Sequence, residues 1–148
     1  MPAAPKTYGL TLNEKSPDGV QWVGPRDQDE LIAWYKRAAL FVMPSYFESF
    51  GISVMEAMAF GLPVICSRVG GIPETVADGV TGWLCEPGDA RELATAITQL
   101  FADGPRRAAL GQAGQGRDFS AFGPENIAHR SLEVYEQARQ SLQPGSHK

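Results

Sequence analysis

PSYFESFGISVMEAMAFGLPVICS, residues 44–67, is the stretch whose reading decides the fold. The apolar run Ala39–Met43 leads into it with the pattern of a buried parallel strand, and Pro63–Cys66 reads as the next such strand. Between them a turn carrying Gly51 opens a helix over Ser53–Phe60, which Gly61 ends as a left-handed cap. Two carboxylates, Glu48 and Glu56, flank the turn with seven residues between them. A helix N-terminus offers unpaired backbone N–H groups and a positive dipole end to a phosphate. Carboxylates accept hydrogen bonds from vicinal hydroxyls. The stretch therefore suits a ligand carrying both a phosphate and neighbouring hydroxyls. Glu56 also follows Ser53 by three, so a capping box would explain it without any ligand.

Outward from this stretch, strands and helices alternate. Val20–Gly24 is a short β run containing Trp22, and Asp27-x-x-Glu30 forms a capping box opening a helix to about Arg37. Ile72–Ala77 reads as a short helix with an Asp78-Gly79 turn after it, and Thr81–Cys85 as a final strand. Asp89-x-x-Glu92 caps another helix, on which Leu93, Ile97, Leu100 and Phe101 repeat on one face. Two further helices follow, about Pro105–Gly116 and Pro124–Leu142. The expected organisation is a leader or linker over residues 1–19 with a short strand at Tyr8–Leu12, one domain over 20–142, and a polar tail over 143–148. Alternating elements of this length imply βαβ units, hence an α/β fold with a Rossmann-like parallel sheet and flanking helices. Ligands of such sheets bind outside the carboxyl ends of the strands, where the turn carrying Glu48 lies.

Bulk properties narrow the function. At 148 residues, 43% apolar and 20% charged, the chain has the composition of a soluble globular domain. A formal net charge of −4 without a basic stripe argues against nucleic acid as a partner. There is no transmembrane-length apolar run and no signal h-region in MPAAPKTYG, so a cytoplasmic location is the default. Cys66 and Cys85, each at a strand end among apolar residues, read as reduced and buried; a disulfide would require them to be neighbours, which the sequence leaves open. No metal site is expected. Asp27-Gln28-Asp29 is formally a D-x-D, but at a helix start acidic residues serve the dipole. Gly111-x-x-Gly114-x-Gly116 follows no strand and so fails as a phosphate loop.

The residues ESFGISVMEAMAxGxPVI resemble the E-x7-E motif of the family 4 retaining glycosyltransferases (group 1) of GT-B fold. VQWVGPRDQDELIAWYKRAALFVMPS, residues 20–45, and RVGGIPETVADGVTGWLCEPGD, residues 68–89, are similar to the segments on either side of that motif. The resemblance covers roughly residues 20–120. It implies the donor-binding, C-terminal domain of an enzyme that transfers a glycosyl group from a nucleoside-diphosphate sugar with retention. By the same resemblance Glu48 contacts the hydroxyls of the transferred sugar. Ser49, Phe50, Gly51 and Ile52 present backbone N–H groups to the diphosphate and sugar, and Glu56 binds the ribose. Gly24, Pro25 and Arg26 correspond to the segment holding the nucleobase, largely through backbone groups. Gly51 has a physical reason in close backbone approach, Phe50 reads as core, and Gly70-Gly71 begin a turn at the same edge. No catalytic residue, metal or cofactor is implied for this chain.

The resemblance also implies what is missing. Enzymes of this family have two Rossmann-like domains, and their donor domain begins with a V-G-R-L-x-x-x-K-G segment whose Arg and Lys neutralise the departing diphosphate. Nothing here matches that segment. The expectation is a partial GT-B C-terminal domain that is weakly active or inactive alone: a fragment, a truncated product, or one part of a split assembly. Its partners would be a nucleotide sugar and either an N-terminal GT-B domain or a second copy. The alternative is a non-catalytic module that binds a nucleotide or a protein.

Overall fold

The structure, a computed structural model, describes residues 18–141. They divide in sequence between Lys36 and Arg37 into two compact units. In the first, helix α1 (Gln28–Arg37) begins with the expected capping box. Asp27 Oδ1 accepts the Glu30 N–H at 2.9 Å, and Glu30 Oε2 accepts the Asp27 N–H at 3.4 Å. Asp27 of the D-x-D is thus a helix cap. Val20–Gly24 forms no strand, contrary to expectation. Its Val20 and Trp22 side chains stay 48% and 62% exposed, so burial does not reward extension, and Gly24 turns the chain at φ 66°. The Tyr8–Leu12 strand lies outside the described residues.

The second unit carries β1 (Phe41–Met43), α2 (Ile52–Ala59), β2 (Val64–Ser67), α3 (Ile72–Thr75), β3 (Trp83–Cys85), α4 (Ala90–Ala102), α5 (Gly104–Gln115), a 3-10 turn (Ser120–Phe122) and α6 (Pro124–Ser141). The three strands form a parallel sheet in the order β1-β2-β3. β2 is central and wholly buried, which is why VICS carries no alternation of polar and apolar residues. Helix α2 ends as expected: Gly61 sits at φ 73°, its N–H reaches the Met58 carbonyl and the Leu62 N–H that of Ala57, a Schellman motif.

Several elements are shorter than the sequence suggests. The Thr81 hydroxyl accepts the Ala77 N–H at 2.8 Å, and its own N–H donates to the Ala77 carbonyl at 2.9 Å. Thr81 therefore closes the turn after α3 and leaves β3 to begin at Trp83. In α4, Asp89 caps the Arg91 and Glu92 N–H groups, but the Glu92 carboxylate reaches the Glu86 N–H at 2.7 Å and ties the loop after β3 to the helix. Leu93, Ala96, Ile97 and Leu100 pack with Ile65, Cys85 and Leu110, while Phe101, at the flank of that face, is 56% exposed.

The register settles the cysteines. Cys66 pairs with Leu84, and Cys85 with Ser67, so their side chains point to opposite faces of the sheet. Both are free and buried. Burial, followed by the nearby Cys85, pushes the Cys66 thiol up to about 12. Burial, followed by the carboxylates of Glu92, Asp78 and Asp89, pushes Cys85 up to about 11.

The glycines of α5 are a packing device. A Cβ on Gly111 would lie 2.2 Å from the Gly61 carbonyl oxygen, and one on Gly114 would lie 3.2 Å from that of Thr81. Backbone approach at these two positions lets α5 contact α2. Gly111→Ala gains helix propensity of about 1 kcal/mol but meets rigid backbone, and overpacking costs about 1–3 kcal/mol. The expected outcome is net destabilisation in urea unfolding, whereas Gly104→Ala, with open space around its Cβ, leaves the midpoint unchanged or raises it.

Candidate functional site

The site grows from the loop between β1 and α2, at the carboxyl end of the parallel strands. Gly51 is the N-cap of α2 in the left-handed region at φ 82°, and a Cβ there would sit 2.4 Å from Ile72 Cδ1. The glycine is required by its φ and by the isoleucine beneath it. Its carbonyl accepts the Val54 and Met55 N–H groups at 3.0 and 3.2 Å. The Ser53–Glu56 capping box, the alternative that would explain Glu56 without a ligand, does not form. Ser53 lies inside the helix, and its hydroxyl donates to Met43 Sδ at 3.6 Å.

Glu48 is half-buried, and its Oε1 accepts the N–H of Gly51 at 3.2 Å and that of Phe50 at 3.4 Å. Ser49 is exposed, and Ile52, at the first position of α2, is 66% exposed. Glu56 follows Ile52 by four residues, on the same face of the helix. Both border an open apolar depression of about 480 Å³, together with Phe50, Met55, Phe119 and Phe122. Phe50 is half-buried and meets Phe122 edge-on, with ring centroids 4.9 Å apart. Phe119 and Phe122 escaped the sequence reading because they cap and end a single 3-10 turn, Ser120–Phe122, which carries no periodicity.

What holds the loop is a pair of glycines. Gly70, at φ 49°, would place a Cβ 1.7 Å from the Glu48 carbonyl oxygen, and Gly71 one 2.6 Å from that of Ser49. The Gly71 N–H donates to the same Ser49 carbonyl at 3.2 Å. The turn between β2 and α3 therefore lies backbone to backbone on the loop carrying Glu48. The sequence places these glycines in a turn at the same edge, and their contacts add that they hold the loop carrying Glu48.

Beside them Arg68 is engaged by two carboxylates, Asp78 Oδ2 at 2.6 Å and Glu86 Oε1 at 3.3 Å. Partial burial alone would raise the Asp78 carboxyl; the Leu84 N–H at 2.9 Å and the Arg68 guanidinium outweigh it and hold the group below the usual carboxylate range. Gly24, Pro25 and Arg26 belong to the first unit, where Arg26 Nη1 pairs with Glu30 Oε1 at 3.1 Å on the surface. Among the described residues, no group of three or more His, Cys, Asp or Glu side chains could hold a metal ion. No described helix is long and apolar enough to cross a membrane.

Residues 6–117 match the model of a family described as glycosyl transferases group 1. The chain is 43% identical over 112 residues to the D-inositol 3-phosphate glycosyltransferase of Corynebacterium aurimucosum, covering 75% of this chain and 27% of that protein. It is 39% identical over 124 residues to the protein of the same name in Streptomyces avermitilis, covering 84% and 26%. Among solved structures, sucrose-phosphate synthase from Thermosynechococcus elongatus shares 40% identity at a TM-score of 0.68, covering 82% of this chain and 30% of that one. Anabaena Alr3699/HepE in complex with UDP and glucose shares 28% identity at a TM-score of 0.70, covering 81% and 32%. The chain thus spans between about a quarter and a third of each of these proteins.

Two outcomes follow from this geometry. Gly71→Ala is expected to destabilise the chain by about 2 kcal/mol or more, because the new methyl group meets backbone that cannot step aside; urea unfolding measures it. The depressed Asp78 carboxyl contributes stability that is present above its unfolded value near 3.8 and is lost as pH falls through its lower folded value. Asp78→Asn should flatten the acid limb of the stability profile below about pH 4, as read by thermal melts across pH.

Proposed function

Because the chain belongs to the glycosyl transferases group 1 family, we propose that it forms the donor-binding part of a retaining glycosyltransferase acting on a nucleoside-diphosphate sugar. The observation that carries the reading is the loop before α2, at the carboxyl end of a parallel sheet, where the Glu48 carboxylate lies on the Phe50 and Gly51 donors, with Glu56 on the second turn of the helix that this loop opens. In this reading the diphosphate takes backbone N–H groups of the Ser49–Ile52 segment, Glu48 accepts hydroxyls of the transferred sugar, and Glu56 accepts those of the ribose. Gly24, Pro25 and Arg26 hold the base, and neither metal nor cofactor enters. Uridine is the proposed base, on the likeness to a protein solved with UDP and glucose.

The acceptor is not carried over from the relatives named above, since the match covers about a quarter of their length. Charge supplies a second element of the proposal. Residues 38–67 contain no Lys or Arg, and Arg68 is already engaged by Asp78 and Glu86. A departing diphosphate needs positive charge close by, so the isolated chain binds donor but turns it over feebly, if at all.

Calorimetric titration of the 148-residue chain with UDP, GDP and ADP, alongside Glu56→Ala, tests the reading. UDP is expected to bind, and Glu56→Ala to weaken it about 10- to 100-fold, the worth of hydrogen bonds to a charged group. Equal affinity of the variant would remove Glu56 from the site, and absence of binding by all three nucleotides would remove the function.

A further inference from the structure

Reading the site as a nucleotide-sugar site, on which this inference rests, assigns the Phe50 and Gly51 donors to the diphosphate and the Glu48 carboxylate to the sugar. In the structure, Glu48 Oε1 itself sits on those two donors, at 3.4 and 3.2 Å. A backbone N–H carries one hydrogen, and two anionic oxygens converging on the same pair would repel. We propose that Glu48 is an internal anion exchanged for the donor's phosphate, so that the carboxylate is released to the sugar hydroxyls only when the phosphate is seated.

Three features support an exchange of side chain against ligand rather than a movement of the loop. The donors are fixed: Gly51 lies against Ile72, and the carbonyls of Glu48 and Ser49 lie against Gly70 and Gly71. Glu48 is attached by flexible torsions to that fixed backbone, so its carboxylate can leave without the loop moving. The bonds it makes lie at or beyond the long end of the N–H···O range, whereas a phosphate oxygen forms shorter charge-assisted bonds on the same donors.

The exchange couples two recognition events. A ligand with phosphate but no sugar displaces Glu48 and leaves a carboxylate beside an anion with no hydroxyl to receive it. A ligand with sugar but no phosphate meets a carboxylate already engaged. Only the complete donor satisfies both, so selectivity for the intact nucleotide sugar over its free nucleotide resides in one side chain.

The test uses inorganic pyrophosphate, UDP and UDP-glucose with the wild-type chain, Glu48→Ala, and Glu74→Ala, on the exposed side of α3, as a control for loss of one negative charge nearby. Calorimetry gives affinities, and the Phe50 and Gly51 amide resonances report the donors. Glu48→Ala should bind pyrophosphate roughly 10-fold tighter than wild type, lose the preference for UDP-glucose over UDP, and shift both amide resonances before any ligand is added. Glu74→Ala should change pyrophosphate affinity far less. A Glu48→Ala gain no larger than that of Glu74→Ala, or none at all, overturns the exchange even when nucleotides bind. Failure of the underlying site reading looks different: the amides move on substitution, but no nucleotide perturbs them in either form, and the exchange falls with it.

Discussion

The candidate site depends on one contact, the backbone of Gly70-Gly71 lying on the backbone of Glu48-Ser49. At 1.7 and 2.6 Å from carbonyl oxygens, there is no room for a Cβ at either glycine. The contact joins the loop after β1 to the loop after β2, so the carboxyl ends of two adjacent strands form one surface. Gly51 extends it by resting on Ile72 of α3, which belongs to the same second loop. The donors of the loop are therefore oriented before any ligand arrives, which is how a site avoids ordering costs on binding.

A second layer of close approach supports the first. α5 packs against the C-terminal end of α2 through Gly111 and Gly114, and Gln115 Nε2 donates to the Ala59 carbonyl at 3.1 Å. Arg117, just beyond α5, donates through Nη2 to the Glu74 carbonyl of α3. α2 and α3, which flank the loop carrying Glu48, are thus both held from behind by the same helix and its end. The sheet contributes rigidity through β2, whose four residues are buried on both faces.

The fold was legible in the sequence wherever burial is two-sided or a cap is chemical. The Asp27 and Asp89 caps and the Gly61 terminator stand where patterning places them, and the strand expected at Pro63–Cys66 forms one residue later, at Val64–Ser67. Illegible were features decided by contacts distant in sequence. Val20–Gly24 has strand composition but no burial. Ser53 has cap chemistry, yet Met43 takes its hydroxyl and Gly51 takes the cap position. In the site, the pattern of Glu48, Gly51 and Glu56 was visible. That Glu48 turns back on its own loop was not, since a carboxylate's choice among nearby donors leaves no trace in spacing.

The placement of the cysteines has a practical corollary. On opposite faces of the sheet they cannot join to each other, and with values raised to about 12 and 11 they carry almost no thiolate at neutral pH. Cys66 lies at zero exposure on the central strand, so a thiol reagent reaches it only when the sheet itself comes apart. The chain thus carries a built-in reporter of its own opening: the rate at which it takes up a maleimide or aromatic disulfide reads how readily the sheet opens, without a probe being introduced.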